Sequence, residues 1–179
     1  MRKFQIGVVL FALAMLYTQR ASAMGASAGI LVGNGFKEGY NVGFGARGGF
    51  TLPLGVYIGG TFVYHLGESK STPGGDLTTH LFYFGPEGGY ELSAGPVTVR
   101  PYLGLGYASY SASVPQSCAA GICGGGATLT DSKLAVWPGA TALFPVGNLF
   151  IGADARYVVL LDTTDANAFS IFLTGGMTF

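Results

Sequence analysis

Charged side chains are scarce in this chain. Asp, Glu, Lys and Arg make up 10% of its 179 residues, against about 25% in ordinary soluble domains. So few charges cannot keep the surface of a water-exposed fold hydrated. Histidine occurs twice and tryptophan once, which leaves no cluster of the kind that holds a metal ion. The two cysteines, Cys118 and Cys123, make neither a disulfide framework nor a Cys-x-x-Cys redox motif. No basic stripe occurs anywhere, which argues against a nucleic-acid partner. After the first two dozen residues no apolar run approaches the ~20 residues that a helical membrane span needs. Glycine-rich pieces such as 124–126 are followed by no helix pattern, so a phosphate-cradling loop is excluded.

The N-terminus carries an export signature. Arg2 and Lys3 precede an apolar run over 6–17, and Ala21-Ser22-Ala23 is a small-residue cleavage site. The run is too short for a transmembrane helix, and no cysteine follows it to take a lipid anchor. Residues 1–23 are therefore expected to be a signal peptide and 24–179 a single domain. Without the leader, six Lys and Arg stand against nine Asp and Glu.

What is abundant is glycine, with 31 residues, and aromatic side chains at 13%. That many aromatics exclude the disordered reading that glycine alone would invite. Period-two alternation predicts eight strands, near 25–34, 40–52, 56–66, 80–92, 97–110, 132–144, 149–160 and 168–179. Three connections, 53–55, 93–96 and 145–148, are short and hold Pro and Gly. Four others, 35–39, 67–79, 111–131 and 161–167, are longer. Pro86, Pro101 and Pro138 fall inside predicted strands, where bulges are expected. Phe44 to Phe50 resembles Phe84 to Tyr90, with Arg47 and Glu87 at matching positions of this internal repeat.

Sorting by parity gives two unlike faces. One holds Tyr40, Phe44, Phe62, Phe84, Leu103, Leu105, Ile151 and their kin, and no charge falls on it. The other holds Arg47, Glu87, Glu91, Arg100, Asp154 and Arg156 among Gly, Thr, Ala and Tyr. A lipid-facing Lys or Arg at the bilayer midplane costs about 2–4 kcal/mol, so an apolar face empty of charge predicts a membrane barrel. A soluble barrel would need many more charges on its polar side.

The last strand alternates Phe169, Ile171, Leu173, Gly175, Met177 and Phe179 with Ala, Ser, Thr, Gly and one Phe. Outer-membrane β-barrels of Gram-negative bacteria end in such a strand with a terminal aromatic residue, and this chain resembles them. Met177 departs from the family's penultimate alternate aromatic. The likeness spans residues 24–179 and is to the small eight-stranded barrels of the outer membrane protein A and outer membrane protein X type, within the porin-like proteins. It implies an all-β, up-and-down transmembrane barrel in the outer membrane. It also implies contact with outer-membrane lipid and lipopolysaccharide, and delivery to the barrel-assembly machinery through the closing strand. No peptidoglycan-binding segment follows Phe179, so the anchoring role of longer relatives is not expected.

The six charges of the polar face are then expected to form a lumen salt-bridge network. If Leu92 pairs with Val97, Arg100 lies diagonal to both Glu87 and Glu91. If Phe144 pairs with Leu149, Trp137 lies opposite Arg156 and a cation–π contact is expected. Small barrels fill their interiors with side chains, which favours a plug over an open path. Cys118 and Cys123 are expected to form a disulfide in an oxidising compartment. His65 and His80 read as rim histidines in water, and Tyr40, Tyr64, Tyr107 and Phe179 as an interfacial girdle. An enzyme would need a positioned nucleophile and base, and only Glu68 and Ser69 lie near His65. The sequence therefore predicts a non-enzymatic barrel without cofactor or metal, with a structural or loop-mediated interaction role and an unidentified extracellular partner. A narrow conduit of the outer membrane protein W type is the alternative, and a lipid-modifying enzyme the third reading. Protease added to intact cells is expected to cut only within the long connections. Cleavage at 93–96 on intact cells would invert the topology.

Overall fold

The computed structural model describes residues 25–37, 40–67, 69–72, 75–114, 118–119, 122–123, 127–161 and 167–179. The expected leader, 1–23, lies outside them. Eight antiparallel strands run in chain order: β1 (Gly25–Gly35), β2 (Val42–Thr51), β3 (Val56–His65), β4 (Gly75–Tyr90), β5 (Val97–Val114), β6 (Ala127–Val146), β7 (Leu149–Leu160) and β8 (Ala168–Thr178). Each pairs with its successor. β8 returns to β1, from Ser27 facing Thr178 to Gly35 facing Ser170. The sheet is thus a closed eight-stranded barrel, and closure leaves no strand edge that lipid would have to solvate.

Alternation along each strand sends one set of side chains out and the other in. Ile30, Phe50, Leu103, Ile151 and Leu173 lie on the exterior, Leu173 at 72% exposure. Arg47, Tyr57, Tyr83, Glu87, Tyr102, Trp137, Asp154, Arg156 and Phe172 fill the interior. Two expectations change here. Tyr40, placed on the apolar face by parity, is 3% exposed and packs inside, because it precedes β2 rather than belonging to it. The interior is also less polar than expected: Leu31, Val63, Leu81, Val158 and Phe172 are fully buried there. A lumen filled by side chains places no polarity requirement on those positions.

Two hairpins are tighter than the sequence suggests. Ala94 faces Val97 and Val146 faces Leu149, so only Gly95-Pro96 and Gly147-Asn148 form the turns. Both glycines have φ of +64° at the first central position, the conformation that a II′ hairpin turn requires there. The cross-strand partners therefore slip by two residues from the expected ones. Leu92 meets Val99 and Phe144 meets Ile151. An even slip keeps every side chain on its face but changes its neighbours.

No bulge accompanies the strand prolines. The register of β4 with β3, and of β5 with β6, runs through Pro86, Pro101 and Pro138 without an inserted residue. A proline cannot donate, and instead a rung is missing on one side. The β4–β5 ladder skips from Phe84–Tyr107 to Glu87–Gly104, and stops at Gly89–Tyr102 beside Pro101. The β6–β7 ladder skips from Val136–Val159 to Gly139–Arg156.

The connections expected at 67–79 and 111–131 are largely strand. β5 and β6 stay paired out to Val114 and Ala127, and β4 pairs with β5 from Thr78 and Ser113 inward. A short strand, Ser69–Thr72, adds to β4. Runs of Ser and Thr look like loop in a sequence, yet here they pair across strands. Ser111 meets Thr130 at 3.2 Å and Ser113 meets Thr128 at 3.1 Å, hydroxyl to hydroxyl. At the projecting end, Cys118–Ala119 and Ile122–Cys123 form a ladder that sets Cys118 directly across from Cys123. Directly opposed residues of an antiparallel pair lie about 4.5–5.5 Å apart at Cα, within the span a disulfide bridges. Alkylation of the exported protein without reductant is expected to leave both cysteines unlabelled. Quantitative labelling would show that the disulfide does not form.

Candidate functional site

The strands bring four charged side chains together inside the barrel, and a further pair nearer its short-turn end. Arg47 comes from β2, Glu87 from β4, Arg100 from β5, and Asp154 with Arg156 from β7; Glu91 follows β4 directly. Inward glycines make room for the large groups. A Cβ on Gly104 would lie 1.9 Å from Nε1 of Trp137, and one on Gly59 2.2 Å from the Tyr57 hydroxyl oxygen. A Cβ on Gly139 would lie 2.5 Å from the hydroxyl oxygen of Tyr102. These three lumen rings thus lie over glycines, and the interior is filled by alternating the largest side chains with none.

Asp154 is the most heavily bonded group. It accepts from Arg47 Nη1 at 2.8 Å, Arg156 Nε at 2.7 Å, Thr141 Oγ1 at 2.6 Å and the Tyr102 hydroxyl at 2.9 Å. Glu87 accepts from Trp137 Nε1 at 2.9 Å and Arg47 Nη2 at 3.3 Å. Its Oε2 also lies 2.8 Å from Arg47 Nε, an ion contact without the alignment of a hydrogen bond. Arg156 Nη1 approaches Glu87 Oε1 at 3.8 Å. Arg47, Glu87, Asp154 and Arg156 are at most 8% exposed, so water contributes little to their solvation. The rings complete the layer: the Arg47 guanidinium lies 4.4 Å from the Tyr102 centroid, and Arg156 5.2 Å from that of Phe172. Two cations and two anions close the lumen with no net charge, which suits a site where an unpaired ion would be costly.

Nearer the short turns, Arg100 donates from Nε to Glu91 at 3.0 Å and also from Nη2. Thr51 donates to the same oxygen at 2.9 Å, and the guanidinium stacks 3.8 Å from the Tyr57 centroid. Arg100 therefore does not pair with Glu87, as the sequence had suggested. The two-residue slip puts Glu91 across from Arg100, between the Gly89–Tyr102 and Leu92–Val99 pairs, and sends Glu87 across from Gly104. Glu87 meets Arg47 instead, so the matching positions of the internal repeat face each other across the lumen. The expected contact of Trp137 with Arg156 is replaced for the same reason. Gly139 faces Arg156, and Trp137 donates to Glu87.

His65, expected at a wet rim, is fully buried. Its ring lies 5.2 Å from Tyr40, 6.0 Å from Tyr83 and 5.8 Å from Phe172, and Nδ1 is 3.1 Å from the Asn41 carbonyl. His80 is half-buried and stacks on Tyr64 at 5.9 Å. Glu68 and the side chain of Ser69, the candidates near His65, lie outside the described residues. The partners that sequence reasoning missed are Tyr102, Thr141 and Tyr57. Their inward parity with Arg100, Trp137 and Thr61 was the available signal. On the last strand, Phe169, Ile171, Leu173, Met177 and Phe179 all face outward.

The register predicts how sensitive this layer is. Gly104→Ala drives a methyl into the Trp137 ring, and overpacking of this kind costs about 1–3 kcal/mol. The variant is expected to unfold at lower urea, with a shifted emission of the single tryptophan as its bond to Glu87 is lost. Unchanged emission would show that the ring has room.

No family model matches the sequence, and no curated protein does either. Solved structures do match. Ail, the attachment invasion locus protein of Yersinia pestis, superposes with a TM-score of 0.56 at 19% identity, over 87% of this chain and 99% of that one. A major outer membrane protein from Thermus thermophilus gives 0.59 at 15% identity, over 86% and 99%. Neisserial surface protein A gives 0.52 at 17%, over 89% and 98%. At these identities what is common is the fold. The chain has the fold of the small eight-stranded outer-membrane β-barrels, to which outer membrane proteins A and X belong.

Proposed function

We propose that this protein resides in the bacterial outer membrane as a non-enzymatic barrel whose lumen is sealed by its own side chains. Its working surface is the projecting end. The observation that carries this reading is the neutral, ion-paired layer of Arg47, Glu87, Asp154 and Arg156 within an exterior of exposed aliphatic and aromatic side chains. A water-filled channel would leave such groups solvated, and a soluble barrel would turn its apolar face inward. The exterior suits contact with lipid and lipopolysaccharide, and the strand ending at Phe179 suits delivery to the barrel-assembly machinery.

The projecting strands of β4, β5 and β6 raise a sheet above the belt, and this is where an extracellular partner would bind. One of the similar structures is Ail in complex with the heparin analogue sucrose octasulfate. On this chain the described projecting residues include Lys133 beside Asp131, 3.4 Å apart, rather than a cluster of free cations. We therefore favour a partner recognised by hydroxyls and backbone over a sulfated polyanion. The reading of a narrow conduit is tested by the same measurement as the plug.

In planar bilayers the refolded wild-type barrel is expected to stay closed. Arg47→Ala leaves Asp154 and Glu87 short of a cation, and removing one partner of a buried pair costs about 3–5 kcal/mol. The variant is expected to lose that order of stability in urea and to pass current. Steady conductance by the wild type would overturn the plug, as would a silent Arg47→Ala with an unchanged unfolding midpoint.

A further inference from the structure

The lumen holds two groups of ion pairs that do not touch each other. Arg47, Glu87, Asp154 and Arg156 form one, and Arg100 with Glu91 the other. Between them lies a cavity of about 10 Å³, lined by Arg47 from the first group and Arg100 from the second. Ser27, Thr141 and Thr174 supply its hydroxyls, and no carboxylate lines it. Both arginines are nine-tenths or more buried. Two guanidiniums, which only donate, therefore border one small space with no acceptor charge between them.

The hydrogen-bond accounting identifies what fits there. Arg100 commits Nε and Nη2 to Glu91, while its Nη1 makes no bond to a described residue. Arg47 commits both Nη1 protons, to Thr141 Oγ1 at 2.7 Å and to Asp154, and one Nη2 proton to Glu87, which leaves its second Nη2 proton unused. The Thr141 hydroxyl, with one lone pair left, donates to Asp154, and that of Thr174 donates to the Ile30 carbonyl. Both hydroxyl protons are committed, so these oxygens can offer the cavity only lone pairs. The space is thus bordered by unused donors and unused acceptors together. A halide ion would satisfy only the donors, and with three arginines balanced by three carboxylates the lumen has no surplus charge to hold it. A water molecule satisfies both, and the volume is about that of one water. We propose that a single buried water bridges Arg47 and Arg100 in this cavity and joins the two ion-pair groups into one network. This holds whether or not the lumen conducts.

The sign of a coupling tests it. Arg47→Gln, Arg100→Gln and the double variant of the full chain are refolded and their unfolding constants compared. A shared water makes the second substitution about tenfold less damaging in the background of the first, within the range found for groups in one network. Additive effects would overturn the bridge. So would a double variant worse than additive, which is the signature of two cations repelling directly. Should the double variant fail to refold, Ser27→Val fills the cavity with methyl groups. It is expected to weaken folding about fivefold by displacing the water, whereas a more stable barrel would overturn the proposal. Replacing chloride by sulfate at constant ionic strength is expected to leave the wild-type midpoint unchanged. A shift on removing chloride would make the occupant an anion and overturn its assignment as water.

Discussion

Two carboxylates held between two guanidiniums are the constraint on which the interior depends. Asp154 and Glu87 lie inside a sheet whose strands are fully committed to one another, so neither can move to find water. Each must be neutralised where it stands. Arg47 reaches both, from a strand adjacent to neither β4 nor β7 in the sheet, and thereby ties β2 to both. Arg156 supports Asp154 from the same strand. The aromatic rings of Tyr102, Trp137 and Phe172 then take up the space around the guanidinium planes, with hydroxyl and indole donors aimed at the carboxylates. A buried pair of this kind contributes little net stability, because desolvation offsets most of the attraction. It specifies the arrangement instead, since any slip of register would strand an ion.

That specificity needs room, and glycine provides it. A small barrel has a fixed interior width, and a ring the size of tryptophan fits only if the residue across from it has no side chain. Gly104 beneath Trp137 and Gly139 beneath Tyr102 meet that need. Glycines on the outward face have another character. A Cβ added at Gly88 would meet nothing within 4 Å, and at Gly60 only a carbonyl at 3.4 Å. The abundance of glycine thus reflects two separate demands, space inside and a thin profile outside.

The projecting strands follow from the same ladder that closes the barrel. Backbone pairing between β5 and β6 carries on beyond the apolar belt, where Ser and Thr replace Leu and Phe on the exterior. Hydroxyl pairs there keep the hairpin ordered without apolar burial. The ladder thus carries the Ser- and Thr-rich ends of both strands beyond the apolar belt.

Alternation, the charge-free apolar face and the aromatic end of the last strand were all readable from residues alone. They determined that the chain forms an eight-stranded barrel and which side chains enter its lumen, because period two assigns a face whatever the register. Arg47, Glu87, Glu91, Arg100, Asp154 and Arg156 were grouped on that ground. Which of them touch was decided only by the tertiary structure. Two-residue turns at Gly95 and Gly147 move every partner in their hairpins by two, a change that parity cannot register and that hands Glu87 from Arg100 to Arg47. Contacts across the lumen, such as Arg47 with Asp154, join strands far apart in the chain and depend on the closed geometry of the whole barrel. The burial of Tyr40 was out of reach, since it precedes β2 and lies outside its alternation, whereas His65 keeps the inward parity of Tyr57, Thr61 and Val63 and was legible from it.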